Sequence, residues 1–240
     1  MRKHRKRRLA DWVTEQSWLA EGDRQRLVNQ LKELNRCCFP GTSTRKCCLL
    51  EIAYARRVMH LLPEDFCRQA VELAASGVEN PSICNTDSYT TIVAEAIRRQ
   101  FEPPHTYTPQ KLLLETACGL VIELLRLKPD LRFLGSSAIC VVNLTHREAA
   151  AENAAQIELT HDIFGNPFRL VPFSPSWRTD TAISLARQMY ESREFSAMPI
   201  LADALQDAGC DNTDILNHCR DTAQVHVRGC WVVDLVLGKK

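Results

Sequence analysis

Apolar positions along this chain recur mostly at helical spacing. Leu27, Val28, Leu31 and Leu34 follow the i, i+1, i+4, i+7 pattern of one helical face and predict an amphipathic helix over 23–38, which Phe39-Pro40-Gly41 ends. Residues 45–62 are apolar around most of the helical circumference (Leu49, Leu50, Ile52, Ala53, Val58, Met59, Leu61, Leu62), the pattern of a central buried helix. Pro63, with Glu64 and Asp65 behind it, places a ring-fixed residue and two acids where a helix begins, and that helix is expected to end near Gly77.

After a polar linker over 80–87, a helix is expected over 89–100 and is stopped by Pro103-Pro104. Thr108-Pro109 reads as N-cap and first residue of a long apolar helix to Leu127, closed by Pro129. The run SSAICVVN over 137–144 is rich in β-branched residues yet too short to separate strand from buried helix. Thr145 and Glu148 form a capping-box pattern that opens an Ala-rich helix to about Thr160. Gly165-Asn166-Pro167, then Pro172 and Pro175, break the periodicity and mark the best domain boundary. Beyond it, helices are expected over 179–194, over 196–208 with Gly209 as a left-handed cap, and from 211 or 212 to Cys219. Residues 230–237 suit strand or helix, and Gly238 just past them favours helix. No internal repeat or low-complexity segment is present.

The whole is a mainly α fold of eight to ten helices. A basic extension over 1–12 is expected to be disordered, a multi-helical, bundle-like body to fill 13–160, and a compact helical tail subdomain over 161–240 to pack on that body. Composition agrees: 45% hydrophobic and 25% charged residues are ordinary globular usage, and no apolar run approaches the roughly 18 to 20 residues of a membrane span. The formal charge is +1, but residues 2–8 hold six of the lysines and arginines, so the rest of the chain carries −5. A basic nucleic-acid-binding face is therefore not indicated outside residues 1–12. Eleven cysteines, an odd number at irregular spacing with no signal peptide in front, read as reduced thiols in a cytoplasmic protein. Cys67, Cys118 and Cys140 fall inside apolar patterns, where a thiol acts as a small core hydrophobe.

The signatures of standard enzyme classes are absent: no GxxxxGK[ST], no strand-linked GxGxxG, no GxSxG and no HExxH. What remains is a cluster near the carboxyl end. Cys210, Cys219, His226 and Cys230 supply sulfur and nitrogen donors enough for tetrahedral zinc. His226 and Cys230 share a face if their stretch is helical, whereas His218 and Cys219 are adjacent and diverge, so at most one of them ligates. The same residues also suit a nucleophilic pair, with Cys230 or Cys219 as thiolate, His226 as base and Asp234 orienting it. That chemistry needs a lowered thiol pKa, for which Arg228 and a helix starting at Gly229 are the candidates. The plainer alternative is buried thiols with two surface histidines. Trp231, among Val232, Val233, Leu235 and Val236, reads as a core anchor, and Trp177 as the pin of the Pro-rich crossing. Arg56-Arg57 and Arg98-Arg99 read as solvated helix surface.

The tail, from IFGNPFR (163–169) through ILADALQDAGC (200–210) and NHCR (217–220) to HVRGCWVVDLVLGK (226–239), resembles the carboxyl terminus of an uncharacterised group of bacterial proteins abundant in planctomycete genomes. VTEQSWLAEGD (13–23) is similar to that group's opening, in which the valine position is normally the start methionine, and KCCLLEIAYARRVMHLL (46–62) to its Cys-rich helix. Here CCFPGTSTR interrupts the Cys-rich portion, and the middle lacks the usual Ala/Glu-rich run. The resemblance implies one structural unit for the tail and an upstream extension for 1–12; it implies no role for any Cys or His. The function expected from the sequence is a non-enzymatic cytoplasmic interaction or regulatory module that binds a protein partner. A thiol-dependent enzyme and a zinc-stabilised binding module are the alternatives. No cofactor other than zinc is indicated.

Overall fold

In a computed structural model of the chain, residues 9–36, 43–80, 82–83, 87–100, 108–125, 140, 149–169 and 171–239 are described. The protein is mainly α: these residues form eleven α-helices, and no strand occurs among them. Residues 1–8, the Thr145/Glu148 capping pattern and all of 137–144 except Cys140 lie outside the described residues. No helix among the described residues is long and apolar enough to cross a membrane.

Helix α1 (Glu15–Leu19) has no apolar periodicity and is held by its cap: Thr14 Oγ1 accepts from Ser17 N at 3.1 Å while Thr14 N donates to Ser17 Oγ at 2.9 Å. In α2 (Arg24–Arg36) the four periodic residues Leu27, Val28, Leu31 and Leu34 are all buried. Helix α3 (Thr44–Val58) is buried on most faces and tightens into a 3-10 turn over Met59–Leu61. α4 (Asp65–Glu79) runs past Gly77, which is buried inside the helix instead of capping it. α5 (Asp87–Gln100) and α6 (Pro109–Leu125) follow; Thr108 Oγ1 accepts from Lys111 N at 3.2 Å, the cap that the sequence predicts. α7 covers Ala149–Phe164. Four shorter helices complete the chain: α8 (Asp180–Ser192), α9 (Met198–Asp207), α10 (Thr213–Arg220) and α11 (Trp231–Leu237). Thr179 and Asn212 cap α8 and α10 through side-chain oxygens, and Gly209 (φ +86°) and Gly238 (φ +68°) take the left-handed backbone that stops α9 and α11.

The chain divides into two compact units; the tail unit begins at Glu158, close to the 160/161 boundary read from the sequence, but it also takes in early segments that the sequence reading assigned to the body. One unit comprises 22–32 and 47–157. In it α5 packs on α6 and α4 on both, with Cys67 and Cys118 buried and adjacent between them. Arg57 is exposed and Arg56 half-buried, at the surface expected of them, and both are ion-paired there: Arg56 grips Glu72 through Nε and Nη2, and Arg57 Nε lies 2.9 and 3.1 Å from the carboxylate oxygens of Glu152. Cys140, expected in the core, is exposed.

The other unit joins the tail to early segments: 158–239 with the described parts of 1–21 and 33–46. Its core gathers Ala182, Ala186 and Met189 of α8, Leu201, Ala202 and Leu205 of α9, Ile215 and Cys219 of α10, and Val232, Val233 and Val236 of α11. Each large apolar side chain so buried contributes about 1.5–3 kcal/mol. Trp177, in a 3-10 turn over Pro175–Trp177, stacks edge-on with Phe173 against this core, the pin expected of it. Long-range polar links hold the early segments, among them the following. Trp18 Nε1 donates to the Gly165 carbonyl at 3.0 Å, and Arg45 binds Asp234 at 2.8 and 3.3 Å while donating to the Tyr190 hydroxyl at 2.6 Å.

Candidate metal centre

Four chain segments meet at one point in the second unit. The last turn of α7 sends Asp162 inward beside the buried Leu159, Ile163 and Phe164. α10 contributes His218 from the turn before its end, and the α10–α11 loop contributes His226. Cys230 arrives as the N-cap of α11. Asp162 and Cys230 are fully buried, and the His218 and His226 side chains are only 9% and 5% exposed.

One donor atom from each of the four lies within 4.8 Å of all the others, so the group is able to hold a metal ion. His218 Nε2 is 3.2 Å from Cys230 Sγ and 3.3 Å from Asp162 Oδ1; His226 Nδ1 is 2.7 Å from Asp162 Oδ1 and 3.9 Å from Cys230 Sγ. Tetrahedral bonds of 2.0–2.3 Å place donors about 3.3–3.8 Å apart. The observed separations straddle that range, so closing on an ion asks for shifts of a few tenths of an ångström in most pairs. The second carboxylate oxygen is fixed by Val227 N at 2.9 Å, which orients Asp162 as an outer hydrogen bond orients a ligand. His218 is further held by ring contacts with His226 and Trp231.

The pattern of nitrogens separates coordination from catalysis. In a Cys-His-acid relay the imidazole uses one nitrogen toward the thiol and the other toward the acid. Here each ring turns a single nitrogen, Nε2 of His218 and Nδ1 of His226, toward both the thiol and the carboxylate. The opposite nitrogen of His226 is buried with no hydrogen-bond partner. Electrostatics point the same way. Burial, followed by the charge of Asp162, pushes the Cys230 thiol well above its ordinary pKa. For Asp162, burial pushes upward, but hydrogen bonds from the two imidazoles outweigh it and the carboxyl is held below its usual range. A thiolate beside this carboxylate requires a cation between them.

The structure corrects part of the candidate set. His226 and Cys230 do converge, but through a loop and a cap, since α11 begins at Trp231 and not at Gly229. Cys210 and Cys219 are outside the converging group; both are buried in the apolar core of this unit, and burial pushes the Cys219 thiol up to about 12. Of the adjacent pair His218 and Cys219, the histidine joins the site. Asp234 pairs with Arg45 and does not orient His226; Arg228 donates to the Tyr190 and Glu191 carbonyls. The two histidines expected at the surface are half-buried as residues, with their side chains largely covered. Asp162 was missed because it lies 64 positions before His226. The signal that marks it is a carboxylate inside the apolar end of a helix.

A cavity of about 560 Å³ adjoins the centre, with His218 and Trp231 in its wall. Comparison of the chain with protein families, with curated proteins and with solved structures finds no match.

Proposed function

We propose that Asp162, His218, His226 and Cys230 bind one structural zinc ion and that the unit they organise serves binding and not catalysis. The observation that carries this reading is the convergence of four donors from four segments on one point, two of them buried and two half-buried. Imidazole and thiolate together favour zinc among the common divalent ions. Four protein donors fill a tetrahedral shell and leave no position for a reacting water, the mark of a structural site. When bound, the ion supplies the positive charge that lets Cys230 ionise beside Asp162. A reducing, cytoplasm-like compartment suits the eight free cysteines found among the described residues.

The test is the metal content of the purified full chain by elemental mass spectrometry, beside Cys230→Ser and His218→Ala. One zinc per chain is expected in the wild type, well below one in each variant, and chelation should lower the melting temperature by roughly 10 °C or more. A folded wild type that takes up no zinc on reconstitution rejects the reading. Iodoacetamide on the same samples checks the thiol-enzyme alternative: fast, selective labelling of Cys230 at neutral pH would favour it, whereas a zinc-bound or deeply buried thiol labels slowly.

A further inference from the structure

The first turn of α3 carries two consecutive cations, Arg45 and Lys46, and no acid. Cations at a helix amino end oppose the dipole, so each calls for an anion. Arg45 has one in Asp234. Lys46 does not: among the described residues no carboxylate lies within ion-pair distance of it, although the residue is only 7% exposed. Its Nζ donates to the Ile163 carbonyl at 2.7 Å and lies 5.9 Å from the Phe164 ring centroid. An ammonium has three donors and a full charge, and one carbonyl answers neither. Burial accordingly pushes its pKa down, against the pull of the more distant Asp234.

Lys46 lines the 560 Å³ cavity. That volume is in the range of small-molecule sites, and the rest of the wall has the composition of one. Phe164, Val171, Trp231 and Leu235 supply apolar and aromatic surface, and the side-chain amides of Asn217 and Gln224 have no hydrogen bond among the described residues. The remaining charges in the wall answer one another, since Arg169 is bonded to Glu15 at 2.5 Å and lies 3.9 Å from Asp214.

We propose that this cavity binds a small aromatic monocarboxylate, with the carboxylate on Lys46 Nζ and the ring against Phe164 and Trp231. Charge selects a single negative group. With zinc balancing Asp162 and the Cys230 thiolate, and Asp234 balancing Arg45, Lys46 is one uncompensated buried cation; a carboxylate balances it and a phosphate dianion overshoots. That count rests on the zinc reading, whereas the buried amine and the cavity stand without it. His218, a ligand in the zinc reading, and the Trp231 ring tilted against it connect the two, so an occupant of the cavity touches side chains at the metal site.

The probe is naphthalene-1-acetate, with its uncharged amide as the comparison, titrated calorimetrically into the full chain whose zinc content is measured on the same sample. The acid is expected to bind at least tenfold more tightly than the amide. Lys46→Met, which keeps the buried stem and removes the charge, is expected to erase that preference while retaining zinc. Equal affinity for acid and amide, no binding of the acid, or a preference that survives Lys46→Met in a folded variant overturns the proposal. The acid–amide comparison needs no variant and decides even where Lys46→Met fails to fold. Acid binding that depends on Lys46 in a protein without zinc removes the metal reading and keeps the carboxylate site; zinc with no acid binding does the reverse.

Discussion

Replacing Arg45 by Met tests the link that ties the start of α3 to α11. Asp234 is 1% exposed and its carboxylate is held by Arg45 through two hydrogen bonds, of 2.8 and 3.3 Å. Removing the guanidinium leaves a buried charge without its counter-ion, which costs about 3–5 kcal/mol. Arg45 keeps some solvent contact, its side chain being 18% exposed, so the lower end of that range, about 3 kcal/mol, is the expected loss. For a chain of this size each kcal/mol lowers the melting temperature by about 2–4 °C, which makes the expected drop roughly 6–12 °C. The assay is thermal and urea unfolding followed by circular dichroism, with Tyr190→Phe as a control for the hydroxyl that Arg45 also engages. The double variant Arg45→Met/Asp234→Leu removes both charges and should recover most of the loss, because a buried pair replaced by apolar groups of similar volume is close to neutral. A loss below about 1 kcal/mol in the single variant, or no recovery in the double, refutes the account.

Gly165→Ala should destabilise by roughly 2 kcal/mol or more, read as a lower urea midpoint: the backbone there has φ +60°, and an added Cβ sits 3.0–3.1 Å from three atoms of the Trp231 ring. Unchanged stability would show that this ring gives way freely. Cys48 yields a pH dependence. Burial, then the Glu51 charge, pushes its thiol from 9.0 up to about 11, so the folded state favours the neutral form. Its contribution is complete below about pH 9 and is lost as pH rises toward about 11, where the unfolded chain has already released the proton. Melting temperatures between pH 8 and 11 should therefore fall less steeply in Cys48→Ala than in the wild type, and parallel curves would contradict the assignment.

The helices were legible in sequence where their signals are local. The 27/28/31/34 stripe, the Thr108 cap and the glycines at 209 and 238 each specify a neighbourhood of a few residues, and each stands where expected. Helix α1 was not legible, because five residues between Thr14 and Ala20 show no period and are held by a reciprocal cap and by Trp18 burial. Gly77 misled for the opposite reason: buried within α4, it reads as a stop only until packing removes the need for one.

The candidate site was legible in part. His226 and Cys230 belong to a dense run of cysteines and histidines, and density in sequence is enough to raise a metal hypothesis. Choosing among the donors is a different matter, since the side of α10 that faces the core decides between His218 and Cys219, and neighbours in sequence point apart on a helix. Asp162 belongs to another helix altogether, and Asp234, four residues from Cys230, is taken by Arg45 from the far end of the chain.

The sequence by itself determined the helical class, most helix boundaries and the neighbourhood of the candidate metal centre, because periodicity, caps and breakers act over one or two turns. Only the tertiary structure decided which four donors meet, which buried cation has no anion among the described residues, and that the early segments belong with the tail. Each of those depends on which faces are turned toward one another by side-chain packing, and packing joins residues that the chain holds far apart.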